Sequence, residues 1–122
     1  MKIAIPVEER SINASVCVSF GRSPYFLIYD IDTDEEKYIT NVAASAQGGA
    51  GIKAAQAVID EGAEAVIIPR LGQNAADVLN VGSIKLYKAE FGSVKHNIEQ
   101  FKENKLSILT ETHAGFHGRG GR

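Results

Sequence analysis

A chain of 122 residues, 44% apolar and 23% charged, holds enough apolar material for one packed core and little for a second. Its formal net charge of -2 argues against bulk electrostatic capture of nucleic acid or of an anionic membrane surface, so neither is expected as a partner. Apolar runs such as residues 65–69 are far too short to cross a bilayer, the start is not signal-like, and a lone cysteine, Cys17, cannot close an internal disulfide; a cytoplasmic protein is expected.

Residues 2–7 (KIAIPV) are short, apolar and β-branched, which predicts a first strand. Residues 16–20 read as extended and break at Gly21. Alternating runs at 25–31 and 37–42, joined by the acidic stretch 32–36, predict a hairpin. From Ala43 the period changes: Ile52, Ala55, Val58 and Ile59 share a helical face, and Gly62 stands as a C-terminal stop. Residues 65–70 (AVIIPR) form a continuous apolar run, as expected of a parallel strand covered on both faces. Asn74 reads as the cap of a second helix, with Asp77 as its capping-box partner, Ala75, Val78 and Leu79 as its buried face and Gly82 as its end. Residues 84–88 alternate and predict a strand near the sheet's edge, Ser93 caps a third helix with Val94, Ile98 and Phe101 inward, and 106–109 add a short extended piece. The order predicts a mixed five-stranded α/β sheet, a hairpin plus parallel strands, flanked by three helices. One domain over 1–109 is expected, followed by a glycine-, histidine- and arginine-rich tail, 110–122, expected to be disordered.

The loop AQGGAGIKA (46–54) meets a dinucleotide spacing, G-x-G-x-x-A, at Gly49, Gly51 and Ala54. Its context rejects that reading: no buried parallel strand precedes it, and the next strand ends in Pro69-Arg70 without a carboxylate for a ribose. No Gly-Lys-Ser/Thr follows for a Walker A site. Two-metal nuclease chemistry needs gathered carboxylates, and Asp30, Asp32, Asp34, Glu35 and Glu36 sit at a hairpin tip instead. Acyl transfer lacks a G-x-S-x-G and a paired histidine, and His96 reads as a surface residue. Cys17 is a small buried hydrophobe or, if it faces the binding rim beside Arg22, a soft metal ligand. His113 and His117, four residues apart, have a spacing that can join two imidazoles on one metal if the stretch is helical, which Gly115 and Gly118 oppose; a flexible basic tail is the expected reading and weak, adventitious metal binding the alternative.

In an open α/β sheet, ligands bind beyond the carboxyl ends of the parallel strands. Residues 6–8, 69–72 and 87–88 are expected to converge there, with Gly48 to Gly51 and Gln73-Asn74 offering N–H groups at two helix starts. Such a rim suits an anion.

Taken together, FGRSPYFLIYD (20–30), GGAGIKAA (48–55), LGQNAADVL (71–79), GSIKLYKA (82–89) and the final capped helix resemble the dinitrogenase iron-molybdenum cofactor biosynthesis family, over about residues 1–106. The resemblance implies a ribonuclease H-like fold without nuclease residues, and a non-catalytic accessory role in binding or carrying an iron-sulfur or iron-molybdenum cluster, with cluster donor or acceptor proteins as partners. The family often has histidine just before its Phe-Gly-Arg motif and just before its glycine loop; this chain has Ser19 and Gln47 there. The cluster site it implies comprises Ser19, Phe20, Gly21, Arg22, Gln47, Gly48, Gly49, Gly51, Arg70, Gly72 and Asn74, with Cys17, His113 and His117 as the candidate metal donors. The other reading is a small anion- or nucleotide-responsive interaction module that holds no cluster.

Overall fold

The structure, a computed structural model, describes residues 1–110 and 112. Five strands, β1 (Lys2–Val7), β2 (Tyr25–Asp30), β3 (Glu36–Thr40), β4 (Ala63–Ile68) and β5 (Lys85–Lys88), form one mixed sheet in the order β3-β2-β1-β4-β5. β1, β2 and β3 pair antiparallel, and β4 and β5 continue from β1 in parallel. Three helices, α1 (Ala50–Asp60), α2 (Gln73–Val81) and α3 (Val94–Lys102), pack on the two faces.

The unbroken apolar character of β1 and β4 follows from that position. Ala4, Val66 and Ile68 face the α1/α2 side, while Ile3, Ile5, Val7, Ala65 and Ile67 face the α3 side, all completely buried. Each Val or Ile so buried contributes about 1.5–3 kcal/mol. No alternation is visible because neither face meets water.

The ends of the elements mostly follow their sequence signals. Gly62, at φ 84°, accepts the left-handed conformation that stops α1. Ser93 caps α3 through its Oγ, which accepts from the His96 N–H at 3.0 Å. Buried Asn97 ties the α3 start to the chain before it, donating to Glu90 O and Ser93 O and accepting from Glu90 N.

Three local expectations change. Residues 16–20 do not form a strand; Val16 makes only an isolated bridge to Val7, because β1's neighbours in the sheet are β2 and β4. Residues Val42–Ser45 are a 3-10 turn rather than the end of β3, begun by Asn41, whose Oδ1 accepts from the Ala43 N–H. Asn74 lies inside α2 and not at its cap; Gly72 occupies the cap without a side-chain bond, and Asp77 is held instead by Gln73. Residues 107–109 run along the β5 edge through Lys88 N–H to Ser107 O and Leu109 N–H to Leu86 O. The tail expectation falls largely outside the described residues.

Candidate functional site

Three loops separated in sequence meet at the starts of α1 and α2. Arg22 lies between two of them: its Nη1 donates to Ala44 O at 2.9 Å and to Ala46 O at 2.5 Å. Buried Asn41 fastens the same loops from the other side, with Nδ2 donating to Gly21 O and Ser23 O. Gly21 completes the junction, since its backbone lies directly against Gly51 at the first turn of α1. The Phe-Gly-Arg stretch is thus a wedge between the 3-10 turn and α1, with Phe20 buried against Phe26 beneath it.

The wedge encloses one wall of a cavity of about 820 Å³. Ser19, Phe20, Gly21 and Arg22 line this wall. Gln47, Gly48, Gly49 and Gly51 supply the second wall, and Arg70, Gly72 and Asn74 the third. All eleven residues expected around a common site therefore share one cavity. Residues 6–8 and 87–88 were expected on the same rim but do not line it.

The cavity's electrostatics come from two helix ends. Lys53 N–H bonds to Gly49 O and Ala76 N–H to Gly72 O, so the first backbone N–H groups of α1 and α2 precede the helical ladders. Neither helix has a side-chain cap bond at its start. The two positive helix ends, with their free donors, therefore open on one space. Arg70 lines that space and has no ion pair among the described residues.

The pattern of the family described as dinitrogenase iron-molybdenum cofactor matches residues 1–104 of this sequence. The chain belongs to this family. The Methanocaldococcus jannaschii protein MJ0580 is 32% identical over 109 residues, covering 87% of this chain and 89% of its own. Among solved structures, the apo form of the orange protein from Desulfovibrio gigas superposes with a TM-score of 0.85 at 26% identity, over 89% of this chain and 92% of that one. The Thermotoga protein TM1290 superposes with a TM-score of 0.79 at 31% identity, over 98% of each chain.

Within this dinitrogenase cofactor family member, the donor set limits what the cavity can hold. Among the described residues no three His, Cys, Asp or Glu side chains converge as metal ligands. Ser19 and Gln47 bring hard, neutral groups to the cavity. Cys17 precedes the lining residues but is not one of them; it is 5% exposed, and its amide is bonded to Pro6 O. Burial pushes its thiol up from the ordinary range, Glu8 adds to that, and the Ser19 N–H and Ser23 hydroxyl oppose it. The described walls therefore fit an anion held by N–H donors and guanidinium charge, and do not fit a thiolate-ligated cluster.

His113 and His117 lie outside the described residues. Sequence reasoning missed Val18 and Ile52, exposed apolar residues on the cavity's lining, and the clamp made by Asn41. The signal for Asn41 was present: an Asn where a strand ends and small residues begin is a helix-start signature. For Val18 and Ile52 no signal existed, because an apolar residue in a loop or on a helix reads as core. Among the described residues no helix is long and apolar enough to cross a membrane.

Proposed function

We propose that this protein is a non-catalytic accessory factor whose cavity carries an anionic, sulfur-bridged metal cluster of the iron-sulfur or iron-molybdenum type. The observation that carries the reading is the opening of two uncapped helix starts and Arg70 on one cavity. Such clusters carry negative charge and accept N–H hydrogen bonds at sulfur. Residues Ala50, Gly51, Asn74 and Ala75 supply those donors, Arg70 supplies the charge, and Arg22 holds the loops that set the cavity's width. A cargo held by hydrogen bonds is released when a recipient offers stronger ligands, which suits a carrier. Exposed Val18 and Ile52 beside the opening support contact with a donor or acceptor protein there. We read the fold as ribonuclease H-like, supported by the strand order with an antiparallel β1–β3 half and a parallel β1-β4-β5 half.

The second reading is an anion- or nucleotide-responsive module without a cluster, favoured by the lack of soft ligands among the cavity's described residues. Two probes separate them: tetrathiomolybdate, titrated under anaerobic conditions, and iron(II) with sulfide, each followed by visible absorption after gel filtration. The cluster reading expects absorbance to co-elute with the protein, and Arg70→Ala to weaken thiomolybdate binding by about tenfold, the equivalent of one charge-assisted contact. Absence of bound absorbance with both probes, together with binding of phosphate or a nucleotide, would establish the second reading instead.

A further inference from the structure

Arg22 is engaged on one edge only. Its Nη1 donates to Ala44 O at 2.9 Å and to Ala46 O at 2.5 Å, and among the described residues neither Nε nor Nη2 has a partner. No carboxylate pairs with the guanidinium among the described residues, and none of the residues lining the cavity beside it is acidic. Nε and Nη2 form the side-on fork with which an arginine grips an anion through two parallel N–H bonds. The fork left free thus belongs to a residue that lines the cavity.

The two carbonyls on the engaged edge belong to a segment that little else holds. Among the described residues, the bonds from Arg22 are the only side-chain hydrogen bonds made to residues 44–49. The Ala44 and Ala46 N–H groups bond back to Asn41 O and Ala43 O, and Gly49 O accepts from α1, but no backbone bond among the described residues involves Gln47 or Gly48. A Cβ on Gly48 would meet nothing within 4 Å, and Gly49 sits at φ 70°. The glycine loop is therefore unsupported toward solvent and tied to the Phe-Gly-Arg wedge through one guanidinium.

We infer that Arg22 couples the charge of the cargo to the order of the glycine loop: its Nε/Nη2 fork takes the anion while Nη1 keeps the loop, so that a filled cavity has a fixed rim and an empty one a loose rim. This rests on the anion-carrying reading of the cavity above and adds the device by which that site registers occupancy. A guanidinium can serve both sides because it is rigid and planar; an anion on the fork fixes the plane, and the plane fixes the two Nη1 bonds. Coupling of this kind is reciprocal, so the loop that is held by a bound anion also raises its affinity, and a recipient that draws the loop outward lowers it. A lysine cannot do the same. Its ammonium is a single point charge on a flexible stem, and turning it toward the anion takes it from the carbonyls.

The experiment measures amide exchange by NMR on the full native chain and on Arg22→Lys, each with and without saturating tetrathiomolybdate under anaerobic conditions. The amides read are those of Ser45, Ala46 and Gln47, which precede the donors at the start of α1 and so do not report contact of the anion with that helix end. In the native chain the anion is expected to slow their exchange at least about fivefold. Arg22→Lys is expected to bind the anion about tenfold more weakly and, once saturated, to show no slowing. Unchanged exchange in the saturated native chain would overturn the inference and leave the cavity reading intact; that arm needs no variant, so a poorly folded Arg22→Lys does not shield the idea. Equal slowing in the native chain and in Arg22→Lys would also overturn it, since the coupling would then run through the helix starts and not through the guanidinium fork. Failure of the native chain to bind tetrathiomolybdate would sink the cavity reading, and this inference with it.

Discussion

A methyl group placed on Gly21 would lie 2.8 Å from the backbone nitrogen of Gly51. The partner is backbone at the first turn of α1, so it cannot move aside as a flexible side chain would. Gly21→Ala is expected to push the Phe-Gly-Arg wedge off α1 and to destabilise the protein by about 1–3 kcal/mol, the usual cost of overpacking. Gly48 is the internal control, because a Cβ there meets nothing within 4 Å. Gly48→Ala should stay within about 0.5 kcal/mol of the native protein. Urea unfolding of the two variants side by side is the measurement; equal midpoints would show that the approach of Gly21 to Gly51 is not tight.

Asn41 makes three hydrogen bonds to backbone atoms of two different loops and is 5% exposed. Asn41→Ala strands the Ala43 N–H and the carbonyls of Gly21 and Ser23 in or near the interior. A loss of about 2–3 kcal/mol is expected. Hydrogen exchange should localise the effect, with faster exchange of amides in residues 42–46 and unchanged protection of β1 and β4. Uniform acceleration across the sheet would mean that Asn41 supports the whole fold rather than the cavity wall.

At the opposite end of the sheet, the Lys102 ammonium donates to Asp34 at 2.5 Å, and the Tyr29 hydroxyl donates to the same carboxylate oxygen. Lys102, with Tyr29 in second place, holds the Asp34 carboxyl below its ordinary range. A carboxyl depressed in the folded state stabilises fully above its unfolded value, about 3.9, and that contribution is lost as pH falls through the lower folded value. Asp34→Asn removes the charge and suits the backbone, since Asp34 has φ 64° and Asn tolerates that region. The variant should melt below the native protein at pH 7, with the gap closing progressively under pH 4. A gap that persists to pH 2 would assign the effect to the turn geometry and not to the ion pair.

Cys17 is expected to be dispensable for cargo. Its buried, protonated thiol should react with an aromatic disulfide reagent only as fast as the protein opens, and Cys17→Ala should keep its iron-sulfide absorbance. Loss of that absorbance in a folded Cys17→Ala protein would return the cysteine to the ligand set.

Much of the fold was legible along the chain because its signals are local. The hairpin of β2 and β3, the continuous apolar runs of β1 and β4, the Ser93 cap and the Gly62 stop each declare themselves within a few residues. The grouping of the glycine loop with Arg70–Asn74 was also readable, since helix starts and strand ends in an α/β sheet gather on one side, whereas Ser19–Arg22 joined them only through the family resemblance.

Chain chemistry alone therefore determined the α/β class and the rejection of the dinucleotide, Walker A and nuclease readings, while it placed the α2 cap at Asn74 where the fold has Gly72. What belonged to the tertiary structure was every pairing across the sequence. Arg22 read as a cation for a ligand, but folding spends part of its guanidinium on the carbonyls of Ala44 and Ala46. Cys17 read first as a small core residue and as a ligand only if it faced the rim, and packing put it in the interior beside the cavity. The approach of Thr112 to Gln73 joins residues 39 positions apart. The physical reason is the same in each case: a side chain's hydrogen-bonding capacity is written in the sequence, and the partner that takes it is set by which distant backbone the fold brings within about 3 Å.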